Sequence, residues 1–384
     1  MQQHHYPVIR VSGSAYERGR QHGELARERV AKSVEIYRKA FSDSAKLDWS
    51  DVLDRARGFA QVIGEVNPAI LEEMTGIADG AGFEREEIVA INCRTEILFG
   101  GHGALGVSES HECTTIAVSP NASEGHKTLI GKNWDWRSVC QESVIILQAE
   151  QDEGPNFVMV VEAGMVGRDG FNEHGIAVCG NLLRSTLDGS KPGEPVPLIR
   201  RRILDSRRLV DALGAVLCAD RAASTNYLIA HEAGVIVNFE ASPGQVYPVY
   251  PERGLLTHSN HFTATAAQVQ AIGCNVSPDS LFRNQRVRDL LEPKIGRITV
   301  ADIQEALRDH AGYPRSVCRH PDEREPLAQR SASIASIVID LTDRVMYVAS
   351  GPPCCHEYQT VTLPGRDTQR TGGEHARGAR IAPN

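Results

Sequence analysis

The sequence lacks any uncharged apolar run of the roughly 18 residues that a membrane helix needs. Its opening, MQQHHYPVIRVSGSAYERG, holds no apolar stretch of the signal-peptide kind. It has no excess of positive charge either: 41 basic against 49 acidic residues leave a net −8. That balance excludes a general nucleic-acid binder, and no basic stripe interleaved with aromatics relieves it. The nine cysteines show no framework spacing and are odd in number, so no disulfide scaffold is expected and a reduced, cytoplasmic setting fits. Cys354 and Cys355, with His356 beside them, lack the separation of a zinc ligand pair and a second pair elsewhere. No metal and no cofactor is therefore expected.

What is present is an ordinary globular composition, 41% hydrophobic and 23% charged. The first hundred residues read as helices. Ser14 and Glu17 make a capping box for one helix from Ala15 to about Phe41, with Leu25, Val30, Val34, Ile36 and Tyr37 on its buried side. Further helices are predicted over Asp51–Val66, Pro68–Asp79 and Glu84–Ile91. From Cys113 onward β-branched runs (CTTIAVS, KTLIGKNWDW, SVIILQAEQ, NFVMVVEAG) alternate with turn residues. A helix from about Leu198 to Cys218 carries the cluster RRRILDSRR, read as a solvated face. Helices over Asp279–Leu291 and Thr299–His310 precede a last hairpin, SIASIVIDLTDRVMYVAS. Hairpin spacing between strands, rather than βαβ spacing, predicts an α+β fold of antiparallel sheets covered by helices. The polar, Gly-rich residues 367–384 read as a disordered tail.

The segment SHECTTIAVSPNASEGHKTLIGKNWDW places Cys113 at the head of a strand with no basic neighbour. A thiol of pKa ~8.5 needs a proton acceptor to act as a nucleophile. One arrangement is papain-like, with a distant histidine such as His174, His258, His261 or His320. Papain-like nucleophiles open helices, however, and CTTIAV reads as a strand. The other arrangement frees the α-amine of Cys113 by cleavage of the Glu112–Cys113 bond. That amine, of pKa ~7.7–8.0, then takes the thiol proton.

CTT opening one strand and GKNWDW on the next, together with YERGRQHG, NEHGIAVCGNLL, THSNHF and RSASIASIVIDL, resemble the acyl-CoA:isopenicillin N acyltransferase-like family of N-terminal-nucleophile hydrolases (peptidase C45). The matches run from about Val11 to Leu363. The resemblance implies a four-layer αββα sandwich of two antiparallel sheets flanked by helices. It also implies an inactive precursor that cuts itself between Glu112 and Cys113. Residues 1–112 would become a mostly helical α chain, and the β chain would carry the catalytic core over residues 113–366. Carried onto this sequence, Cys113 is the nucleophile, Asp135 the acidic residue near the new N-terminus, Asn260 the oxyanion amide and Arg330 the active-site arginine. Asn181 and Trp134 are carried as substrate-binding positions. Glu112 stands where the family pattern has glycine, and Gln329 where it has a small hydroxyl residue.

The implied reaction is acyl transfer through a thioester. The expected substrate is a linear non-peptide amide: an N-acyl amine, an N-acyl amino acid or a β-alanyl amine. CoA-dependent N-acyl transfer, a histidine-dependent peptidase and a non-catalytic remnant are the alternatives. The expected partners are the small acyl compound and the paired fragments, with homo-oligomer formation possible and neither nucleic acid nor membrane involved.

Overall fold

The computed structural model describes residues 5–100, 113–189, 193–264 and 269–364. A first strand, β1 (Val8–Gly13), is followed by helices α1 (Ala15–Leu25), α2 (Arg27–Asp43), α3 (Trp49–Val66), α4 (Pro68–Ala81), α5 (Arg85–Asn92) and α6 (Arg94–Phe99). Then come β2 (Cys113–Val118), β3 (Leu129–Arg137), β4 (Val144–Gln151), β5 (Phe157–Glu162), β6 (Asp169–Asn172) and β7 (Ile176–Cys179). Helices α7 (Val196–Leu204) and α8 (Leu209–Leu217) lead to β8 (Thr225–His231), β9 (Ile236–Ser242), β10 (Gln245–Val249) and β11 (Leu255–His258). The chain closes with α9 (Gly273–Val276), α10 (Asp279–Leu291), α11 (Val300–Leu307), β12 (Ser331–Asp340), β13 (Val345–Ala349) and β14 (Tyr358–Thr362).

The strands form two sheets, in the orders β1-β4-β5-β6-β7-β8-β9-β10 and β11-β2-β3-β12-β13-β14. The β1–β4 pair is parallel and the other pairs are antiparallel. Alternation along the six-stranded sheet sorts its side chains into two layers. Ile116, Val118, Leu129 and Val338 join Val287, Leu291, Ile303 and Leu307 of α10 and α11 in one apolar cluster. Ala117, Ile130, Ile337 and Ile339 face the larger core shared with the eight-stranded sheet and the remaining helices. The result is an αββα sandwich, each fully buried Ile or Leu contributing about 1.5–3 kcal/mol.

The capping box of Ser14 and Glu17 forms as predicted, but the expected single helix breaks at Ala26, whose φ and ψ of −113° and 21° leave the helical region. Leu25, expected inside, is exposed. The break lets α1 lie against α4 by backbone contact. A Cβ at Gly19 or Gly23 would run into the carbonyls of Glu73 or Ile77, and one at Gly76 or Gly80 into those of Tyr16 or Arg20. The expected 198–218 helix is likewise two, α7 and α8. No helix among the described residues is long and apolar enough to cross a membrane. The Glu112 side of the proposed cut and the 367–384 tail lie outside the described residues.

Candidate active site

Cys113 is buried at the head of β2, opposite Trp134 of β3. Its backbone is held from both sides. The amide N–H donates to Asn260 Oδ1 at 2.7 Å. The carbonyl accepts from Arg283 Nη1 at 2.8 Å, and the same nitrogen reaches Thr114 Oγ1 at 2.9 Å. Arg283 Nη2 also donates to Asn260 Oδ1 at 3.1 Å. Asn260 follows the end of β11, the strand paired with β2, and its Nδ2 donates to Leu182 O at 2.9 Å. Cys113 lines a narrow cavity of about 30 Å³ with Arg94, Trp136, Arg168, Leu182 and Arg200. That volume is room for only a few water-sized groups.

Asp135 follows the residue paired with Cys113, so strand alternation turns it to the opposite face of the sheet. There its Oδ1 accepts from Ser333 Oγ at 2.6 Å, and its Oδ2 lies 3.9 Å from Arg319 Nε. Burial raises its pKa to about 7, against the opposing pull of Arg283. Arg319 Nη2 and Arg283 Nε share Asp279 Oδ2 at 2.6 and 2.9 Å. A chain of charged groups thus runs under β2, by an ion pair from Asp135 to Arg319 and by hydrogen bonds from Arg319 through Asp279 and Arg283 to the Cys113 carbonyl.

Arg330 stands elsewhere. Its Nε and Nη2 each donate, at 3.0 Å, to the backbone carbonyls of Glu325 and Glu323; the arginine brought to Cys113 is Arg283. Asn181 spends Nδ2 on Thr115 Oγ1, His258 O and Ser259 O, leaving its buried Oδ1 without a hydrogen bond. Trp134 is fully buried beneath the guanidinium of Arg168, 3.5 Å from its ring centroid, and Trp136 is the tryptophan that lines the cavity. His258 Nε2 bonds Glu240 Oε1 at 3.0 Å, and His261 Nδ1 bonds Ser280 Oγ at 2.8 Å. Among the described residues no histidine makes a hydrogen bond to the Cys113 thiol.

The cavity charge was missed by sequence reading. Arg200 and Arg201, read as part of a solvated helix face, are buried, because α7 packs on β6 and β7. Asp169 carries Lys132 at 2.6 Å, Arg200 at 3.5 Å and Arg168 at 3.8 Å, one carboxylate for three cations. Glu162 offsets Arg94 at 2.9 Å. Arg168 makes no hydrogen bond to any described residue, although it is only 8% exposed. Burial, then the like charges of Arg94 and Arg200, pull its pKa down to about 10 against the attraction of Asp169, so it stays charged at neutral pH. The one signal in the sequence was the density of arginine around α7.

Two solved structures are similar to part of this chain: penicillin V acylase from Agrobacterium tumefaciens and a mutant of the conjugated bile acid hydrolase from Clostridium perfringens. They are 15% and 12% identical, at TM-scores of 0.41 and 0.43. The first likeness covers 62% of this chain and 83% of the other, the second 67% and 100%. At these scores the likeness carries no weight for function. The chain is 30% identical to the 40 kDa form of acyl-coenzyme A:6-aminopenicillanic-acid-acyltransferase from Emericella nidulans, over 90% of its length and 92% of the relative's. The profile of the acyl-coenzyme A:6-aminopenicillanic acid acyl-transferase family matches residues 122–354, a span that begins after Cys113. On both grounds the chain belongs to the acyl-coenzyme A:6-aminopenicillanic acid acyl-transferase family.

Proposed function

We propose that the protein is a self-cleaving cysteine amidohydrolase acting on N-acyl amino acids or similar amides that bear a carboxylate. The observation that carries this reading is the grip on Cys113 itself: its nitrogen is held by Asn260, its carbonyl by Arg283, and the residue lines a cavity. No histidine serves the thiol among the described residues, which favours the α-amine as the proton acceptor. In the proposed cycle the thiol gives its proton to that amine and Sγ attacks the amide carbon. The C–N bond breaks, the amine returns the proton to the leaving nitrogen, and water then hydrolyses the thioester. Asn260 Nδ2, at the Leu182 wall of the cavity, supplies a donor to the oxyanion. Asp135 acts at a distance, positioning Arg283 through Arg319 and Asp279. The excess of arginine over carboxylate supports an anionic substrate and selects N-acyl amino acids among the amides considered.

The test is intact-mass spectrometry of the wild type beside Cys113→Ala. Two wild-type fragments, one beginning at Cys113, with an uncut variant, are expected. A single chain in both samples would refute self-activation. A second reading, acyl transfer from a thioester to an amine, is favoured by the activity for which the Emericella relative is named. It predicts a Cys113 acyl-enzyme from acyl-CoA that decays faster with an added amine.

A further inference from the structure

The geometry points to a structural zinc site built from His310, Cys318, His320 and Cys354, away from the Cys113 cavity. Sequence alone set Cys354 aside because no second ligand pair stood near it; the fold supplies one. The segment after α11 brings His310, Cys318 and His320 to the connection between β13 and β14, where Cys354 sits. All four ligand atoms lie within 4.8 Å of one another. His310 Nε2 is 3.2 Å from His320 Nε2. Cys318 Sγ is 3.6 Å and Cys354 Sγ 3.3 Å from that same His320 nitrogen, and the two sulfurs are 3.5 Å apart.

These separations are four of the six edges of a small tetrahedron, and the other two, from His310 to the sulfurs, are no longer than 4.8 Å. Zinc with Zn–S of about 2.3 Å and Zn–N of about 2.0–2.1 Å requires edges of about 3.3 Å for N–N, 3.6 Å for N–S and 3.8 Å for S–S. Each observed edge falls within about 0.3 Å of its value. Two thiolates and two imidazoles select Zn²⁺ over the hard, oxygen-seeking cations. Four protein ligands leave no open position, so the site is structural rather than catalytic. Its position gives it a further consequence. Cys318 and His320 flank Arg319, whose guanidinium stands between Asp279 and Asp135 and whose backbone N–H bonds Ser333 Oγ at 3.0 Å. A metal clamped on both neighbours of Arg319 fixes the far end of the polar chain that runs beneath Cys113.

The experiment is elemental analysis of tag-free, full-length protein purified under reducing conditions without chelators, beside Cys354→Ser and His310→Ala. Both substitutions fall on exposed side chains, so the variants are expected to fold. About one zinc per wild-type chain is expected, with at least a tenfold loss of affinity in each variant under competition with a chromogenic chelator. Cobalt(II) exchanged into the wild type should show tetrahedral thiolate absorption that Cys354→Ser lacks. Wild-type protein that takes up no zinc, or variants that bind it as tightly, would overturn the assignment. A Cys318–Cys354 disulfide in peptide maps of protein alkylated at lysis would overturn it too.

Discussion

Two of the buried arginine clusters among the described residues differ in whether their charge is matched. At the first, Glu73 of α4 receives Arg201 through both of its oxygens at 2.8 Å and Arg18 at 2.8 Å. Asp205 and Gln151 take the remaining Arg201 donors at 2.9 Å. Burial pushes Glu73 up, but Arg201 and then Arg18 more than offset it and hold its pKa below the usual glutamate value. At the second, around Asp169, three cations share one carboxylate, and Arg168 has no hydrogen bond to any described residue. The matched cluster even borders the larger cavity, about 440 Å³ against about 30 Å³. Cavity size is therefore a poor guide here. Carboxylate-paired guanidinium groups hold helices together, whereas the under-neutralised ones beside Cys113 would, under the proposed function, be available to a ligand.

Glu73→Gln should break the first cluster outright. It leaves buried Arg18 without a carboxylate and Arg201 with Asp205 alone, and is expected to cost about 3–5 kcal/mol in denaturant unfolding. A cost below about 1 kcal/mol would show that the cluster is not the clamp its geometry suggests.

Arg168→Gln should behave in the opposite way. Stability should fall by no more than about 1–2 kcal/mol, the worth of a desolvated cation–π contact. Recognition of carboxylate should drop by roughly 10–100-fold, the worth of a charged hydrogen bond. The readout is the alkylation rate of Cys113 by iodoacetate relative to iodoacetamide, with exposed Cys218 as internal standard. Equal preference at the two cysteines in the wild type would erase the contrast between the clusters.

A third effect appears only as a function of pH and concerns Asp135, the counterpart of Glu73 that lacks a tight arginine partner. Its folded pKa of about 7 lies above its unfolded value, so the native state holds the proton more tightly. Stability from this group is complete below about pH 4 and is lost as pH rises toward about 7. Asp135→Asn should flatten that decline by up to about 1.4 kcal/mol per pH unit across the window. An unchanged profile would mean that Asp135 is ionised throughout.

Local signals were legible where the chain itself carries them. The capping box at Ser14, proline at the start of α4 and the β-branched run of β2 need nothing from distant residues. The missed features are all decided at long range. β1 becomes a strand because β4 offers it a ladder. The break at Ala26 serves the approach of α1 to α4, and no glycine or proline announces it. Arg200 looks like any surface arginine until α7 lies down on β6 and β7. Arg283 sits 170 residues from the carbonyl it holds, while Arg330, placed by resemblance, ends on the carbonyls of Glu323 and Glu325. The zinc ligands span His310 to Cys354 and fit no local spacing.

The parallel pairing of β1 with β4, and the bare backbone contact of α1 with α4, tie the first hundred residues into the molecule in different ways. The strand lies across the proposed cut; α1 and α4 lie on the same side of it. After cleavage the six-residue register from Val8 to Gly13 becomes an interaction between two molecules. Dissociation and unfolding then become a single event whose reversal is second-order, and the melting temperature of the cleaved protein depends on its concentration where that of the precursor does not.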